Sequence, residues 1–96
     1  VPDYRNGYAA DLGHRAIQAN AERRYADAVR LLAEAVPHHE AAIRAAPGDR
    51  TYRRFLRNTL GILTGAHLNL GDYEAAVTVT EQLLRAAVDP ADDHFE

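Results

Sequence analysis

The side chains best suited to chemistry in this sequence are its histidines and carboxylates. His38 and His39 are adjacent, Glu40 follows them, and Glu34 stands four residues before His38. A zinc ion needs three or four ligands converging on one point. Adjacent residues of a helix diverge by about 100°, so His38 and His39 do not share an ion, and only Glu34 and His38 fall on one side. His39 lies on an apolar stripe and reads as a core or edge histidine. His67 lies on another, where a packed, hydrogen-bonded imidazole is expected. Covalent catalysis is no better served. The chain has neither Ser nor Cys, and Thr51, Thr59, Thr64, Thr78 and Thr80 have no evident base beside them. Asp92, Asp93 and Glu96 form an acidic cluster of the kind found at a solvated helix start. No carboxylate pair is placed for hydrolysis across a cleft. The expectation is a chain that is not an enzyme and holds no metal or cofactor.

Two other patterns suit binding. Arg50, Arg53, Arg54 and Arg57 recur at helical spacing. Such an edge can hold an acidic peptide tail or a phosphate through bidentate guanidinium contacts. The plainer alternative is a solvated face paired with Asp49 and the acidic residues of a neighbour. Gly61 and Gly65 share one face of the same helix. Glycine inside a helix costs about 1 kcal/mol relative to Ala, so the pair predicts a close backbone approach. That neighbour would be the second helix of an adjacent unit or, failing that, a ligand in a groove, and Gly13 has the same role earlier.

Composition narrows the classes further. The formal net charge is −3, with all eleven basic residues Arg. A negative chain without a basic–aromatic platform is not expected to bind nucleic acid. At 47% hydrophobic residues it can build a core, yet it holds no apolar run near the 18 residues a membrane span requires. Lacking cysteine and any leader pattern, it is expected in the cytoplasm. Ala and Arg richness without Lys fits a GC-rich bacterial source. The first residue is Val rather than Met, which points to a fragment or processed chain.

The elements that position these residues follow from an internal repeat. Displaced by 48 positions, Tyr4 falls on Tyr52, Leu12 on Leu60, Gly13 on Gly61, Tyr25 on Tyr73, Ala28 on Ala76 and Val29 on Val77. One unit therefore occurs twice, spanning about 3–46 and 51–88 of a single domain covering 1–96. Each unit reads as two antiparallel helices. In the second, Asp49 or Thr51 caps a helix from about Thr51 to Leu70 with Phe55, Leu56, Leu60, Leu63, His67 and Leu70 inward. Gly71 ends it. Asp72 caps a helix to about Val88 with Tyr73, Ala76, Val77, Thr80, Leu83 and Leu84 inward. In the first unit, a helix from about Asp3 to Asn20 turns Tyr8, Leu12, Ala16 and Ala19 inward. Past a turn without Gly, one long helix kinked at Pro37, about Glu22 to Ala46, is expected rather than two separate helices, because its stripe stays in phase through His39 and Ile43. No segment alternates with period two, so no strand is expected. Residues 91–96 read as the start of a further helix, so the natural protein is expected to continue.

The stretch Leu63-Thr64-Gly65-Ala66-His67-Leu68-Asn69-Leu70-Gly71-Asp72-Tyr73-Glu74-Ala75-Ala76-Val77 resembles the tetratricopeptide repeat. That family's Leu-Gly-Asp-Tyr-Glu-x-Ala turn and its large and small apolar positions are matched by Leu60, Leu63, Gly71, Tyr73, Ala76 and Leu83. The first unit keeps Leu12, Ala16, Tyr25 and Ala28, and departs with Arg15 for an apolar residue and Arg23 for Gly. The texture is similar to long-helix bacterial arrays often attached to serine/threonine protein kinases. The resemblance implies an all-α fold in which antiparallel hairpins stack as a short solenoid. It further implies a protein–protein interaction module that holds a peptide or partner domain on the concave surface of each unit's first helix. The groove positions so implied are Asn58, Gly61, Gly65, Leu68 and Asn69, with Gly13, Ile17 and Asn20 in the first unit and Arg54 and Arg57 as a basic rim. The family's Lys-dependent peptide clamp does not carry over, because Gly13 and Gly61 stand at its Lys positions. A homodimer through exposed repeat ends, within a larger signalling protein, is the alternative.

Overall fold

A computed structural model describes residues 2–87, with side chains from 7 to 86. Its four helices fall where the repeat puts them: α1 (Pro2–Ala21), α2 (Tyr25–Ala45), α3 (Arg50–Asn69) and α4 (Tyr73–Ala87). The 48-position displacement carries Pro2 to Arg50, Ala21 to Asn69 and Tyr25 to Tyr73, which are the helix limits themselves. No strand occurs among the described residues. The expected helix start at 91–96 lies outside them. Each helix packs chiefly on the next in sequence, while α1 and α3 meet only lightly.

The repeat extends to the turns. After α3, Gly71 takes a left-handed φ of 76°. Its N–H donates to the Leu68 carbonyl at 3.0 Å, and the Asp72 N–H donates to the His67 carbonyl at 2.9 Å. These two bonds satisfy carbonyls that the helix end would leave open. After α1 the same pair recurs: Arg23 N–H to Asn20 carbonyl at 3.0 Å, and Arg24 N–H to Ala19 carbonyl at 2.8 Å. Here the left-handed residue is Arg23, with φ 62°. Its Cβ makes that conformation costly. The exposed Arg24 flanks the turn, reaching Glu22 and Asp27 at 2.8 Å each. The Asp49 carboxylate accepts from the Thr51 N–H at 2.9 Å and caps α3. That of Asp72 accepts from Ala75 at 3.2 Å near the start of α4.

α2 runs unbroken through Pro37, as its in-phase stripe required. Proline there removes one donor, and the ring is exposed. The helix persists because it is walled on two sides. Ala28, Ala35 and Ala42 recur every seven residues along it and are all fully buried. Ala9 of α1 joins Ala35 in one cluster, and Ala16 of α1 joins Ala28 in another. Ala9 precedes Ala16 while Ala35 follows Ala28, so the two helices run antiparallel. The larger cluster carries on through Leu32 to Leu56, Leu60, Leu63 and Ala66 of α3 and Val79 of α4.

Several inward assignments need correction. In α4 the buried residues are Ala76 and Val79, while Tyr73 is 67% exposed, Val77 58% and Leu84 63%. The same stripe in α2 lies beneath α3, whereas no described helix covers it in α4. Leu70 is also exposed, being the cap rather than part of the stripe, and Tyr8 is exposed at the molecule's edge.

The left-handed arginine gives a direct test. Arg23→Gly removes the Cβ penalty at an exposed site and is expected to raise stability by about 1 kcal/mol in denaturant unfolding. Gly71→Arg, by the same reasoning, is expected to lower it by a similar amount.

Candidate functional site

Because α1 and α3 barely touch, α2 forms the floor between them. A cleft of about 230 Å³ opens there. Gly13 and Ile17 of α1 form one wall, and Phe55, Asn58 and Ile62 of α3 the other, with Leu32 and His39 of α2 beneath. The lining is mostly apolar, and Ile17 is 51% exposed at its lip.

His39 is the one strongly buried titratable group on that floor, at 2% exposure. Its Nε2 lies 2.9 Å from Thr59 Oγ1 on α3, sharing a hydrogen bond whose direction follows the imidazole tautomer. Its Nδ1 is buried without a hydrogen-bond partner. The Phe55 ring stands 6.4 Å away, tilted by 40°. Burial is the main cause holding the His39 pKa below the usual imidazole range, and adjacent His38 adds to it. His39 is therefore neutral at physiological pH.

The other histidines follow the helix geometry. His38 points away from His39 and meets the Tyr8 ring edge-on at 4.9 Å. His67 is half-buried, but its Nδ1 has no partner, so the expected hydrogen bond is absent at that nitrogen. No group of three or more metal-ligating side chains gathers among the described residues, and no described helix is long and apolar enough to cross a membrane.

The implied groove residues divide. Gly13, Ile17 and Asn58 line the cleft. Gly61, Asn69 and Arg54 are exposed elsewhere on α3, and Gly65 is half-buried. Leu68 lines a separate groove beside α4. Asn20 is half-buried at the end of α1, with its Oδ1 lacking a partner. Arg57 is half-buried and does not line the cleft. Its Nη1 is buried and unpartnered. Arg53 donates to the Pro47 carbonyl at the loop before α3. Sequence reasoning missed His14 and Ile62 at the cleft and placed Phe55 in the core. The 3–4 spacing of Phe55, Asn58 and Ile62 marks a second α3 face that could have been found.

The glycines require a correction. A Cβ built on Gly13, Gly61 or Gly65 meets nothing within 4 Å. Among the described residues no backbone approaches them, so the expected close contact is not found there. Gly61→Ala and Gly65→Ala are each expected to stabilise the fold by about 0.5–1 kcal/mol through helix propensity alone, as read by thermal unfolding.

The buried imidazole predicts a pH effect with a definite sign. Above about pH 6.5 His39 is neutral folded and unfolded, and its contribution is complete. As pH falls below that value the unfolded chain takes up a proton that the folded one refuses, so stability is lost progressively as the solution is acidified. His39→Gln keeps a hydrogen-bonding partner for Thr59 without titrating. Unfolding curves should show a shallower acid decline for that variant, by at most about 1.4 kcal/mol per pH unit.

No family model, curated protein or solved structure matches this chain.

Proposed function

We propose that this chain is a non-catalytic protein-interaction module of the tetratricopeptide kind, whose cleft between α1 and α3 holds an apolar side chain of a peptide or partner domain. The observation that carries this is the cleft, apolar and open, between the first helices of the two repeat units. At about 230 Å³ it is smaller than the roughly 300 Å³ at which small-molecule sites begin, and it suits one anchoring side chain. Asn58 stands in its wall to fix a backbone by hydrogen bonding, and a rigid helical floor limits the entropy cost of docking. The paired turns at Arg23 and Gly71, and consecutive packing of the four helices, support a short solenoid arrangement. In that arrangement the first helices of both units share one concave face. A place beside other domains in a bacterial signalling protein is the setting this reading favours.

The reading is tested with peptides selected from a random display library on the 96-residue chain. Ile17→Asp lies on exposed surface and should leave the helical circular dichroism unchanged. The selected peptides are expected to bind it at least tenfold more weakly, about 1.4 kcal/mol. Peptides that bind both proteins equally would remove the cleft as the site.

A further inference from the structure

The arginines of this chain divide into a paired set and an unpaired one. Arg15, Arg24 and Arg30 line a polar furrow of about 510 Å³ on the α1 side, together with Asp27 and Glu34. Each has a carboxylate partner. Arg15 meets Asp11 at 3.8 Å, Arg24 meets Glu22 and Asp27 at 2.8 Å each, and Arg30 meets Asp27 at 3.6 Å. Arg44, Arg54, Arg57 and Arg85 have no ion pair among the described residues. The fold gathers these four at one end. Arg44 is in the last turn of α2, Arg54 and Arg57 lie early in α3, and Arg85 is in the last turn of α4. The three segments meet around a groove of about 290 Å³, lined by Glu40 of α2, Leu56 and Leu60 of α3 and Arg85 of α4.

The charge of this end runs against that of the chain. Residues 36–60 and 82–86 carry six arginines, which are Arg50 and Arg53 with the four above, against two carboxylates, Glu40 and Asp49. Asp49 is already engaged as the α3 cap. The remaining described side chains carry four arginines against seven carboxylates, so the positive charge is confined to this end. α3 is also built against its own dipole. Its first turn has no acidic residue, whereas α2 and α4 begin with Asp27 and Glu74. A helix N-terminus is itself positive. Arg50, Arg53, Arg54 and Arg57 stand three and four residues apart along it, where like charges repel. Half-buried Arg57 has a buried Nη1 without a hydrogen-bond partner, so packing already restricts its side chain. A negative charge brought to this end relieves both repulsions and gives the guanidinium groups the partners they lack.

We infer that this end of the molecule docks an acidic segment of a partner protein. The anion is extended. Arg85 borders the groove between α2 and α4, which neither Arg54 nor Arg57 lines, so the guanidinium groups do not converge on one point as a single phosphate requires. Carboxylates spaced along a peptide each take a separate arginine, in the forked geometry that guanidinium favours. Nucleic acid is the poorer fit, because a stacking ring is missing beside the arginines. Among the described residues of this end, Tyr52 is buried and Phe55 lines the α1–α3 cleft. None of the four arginines lines that cleft, so the inference stands or falls independently of the peptide-anchoring reading.

The test is a titration of the isotope-labelled 96-residue chain with octaglutamate, followed through the arginine side-chain N–H resonances. Saturable shifts are expected at Arg44, Arg54, Arg57 and Arg85, with a dissociation constant that rises with added salt. Arg54→Glu and Arg85→Glu, both at exposed positions, should leave the helical circular dichroism unchanged. Each should weaken binding by about threefold, and the double variant by about tenfold. Arg15→Glu alters the net charge by the same amount at a paired site. In salt of about 0.1 M, where exposed charges beyond about 10 Å are screened, it should leave the constant unchanged. The absence of saturable shifts overturns the inference, and so do equal losses from Arg54→Glu and Arg15→Glu. Tighter binding of an oligothymidylate of the same length also overturns it, by assigning the arginines to phosphate.

Discussion

The close approach of α1 to α2 through alanine is the constraint on which the rest of the structure depends. Ala9, Ala16 and Ala19 on one helix and Ala28 and Ala35 on the other are all fully buried. Alanine loses no side-chain entropy on burial, and its short side chain lets two helices lie near each other along their length. Once α1 is fixed this way, α2 has a packed wall along its length and continues through Pro37. That continuity matters for the cleft, whose floor combines Leu32, before the proline, with His39, after it. A break at Pro37 would separate the two halves of the floor.

The second unit is set on the first by a different device. Leu56, Leu60 and Leu63 bring apolar area, but area is non-directional and tolerates rotation. The bond between His39 and Thr59 is directional, and it lies in a buried setting where an unmade partner is costly. It fixes how far α3 turns about α2, and hence which α3 residues face α1. Neither group is repeated: His39 corresponds to Ala87 and Thr59 to Asp11. This interlock belongs to the junction between units and not to the unit.

That distinction explains what was legible in the sequence. The helix limits follow from a displacement of 48 positions together with local chemistry at Gly71, Asp49 and Asp72, all of it within a few residues of each end. The continuity of α2 was legible because a stripe in phase across Pro37 has no reason to exist in a loop. The burial of α4 was not. Tyr73, Val77 and Leu84 form a sound apolar stripe, and periodicity reports that a stripe exists without reporting whether anything covers it. Nor could spacing show that Gly61 and Gly65 have open space above them, since the neighbour they imply would come from elsewhere in the fold. The cleft was half visible: Gly13, Ile17 and Asn58 were placed by resemblance, and Phe55 and Ile62 share the face of Asn58 by their 3–4 spacing, but that this face meets α1 is a matter of packing.

Packing of each helix mainly on the next makes stability a sum of local interfaces. α2 has two such interfaces among the described residues and buries Ala28, Leu32, Ala35, His39 and Ala42. Among the same residues α4 has one and buries Ala76 and Val79. With the same physics acting along the whole chain, order should decline from α2 toward α4, and the local free energy of opening with it. A surface that is apolar and weakly held gains most from being covered, because whatever binds the ordered form stabilises it by mass action. The polar furrow at the α1 end has no such deficit, since its charged side chains are already solvated. The direction in which this molecule can acquire a further layer is thus set by two substitutions in the repeat, Arg15 for Leu63 and Gln18 for Ala66. They make the α1 side polar, while among the described residues the outer side of α4 stays apolar and uncovered.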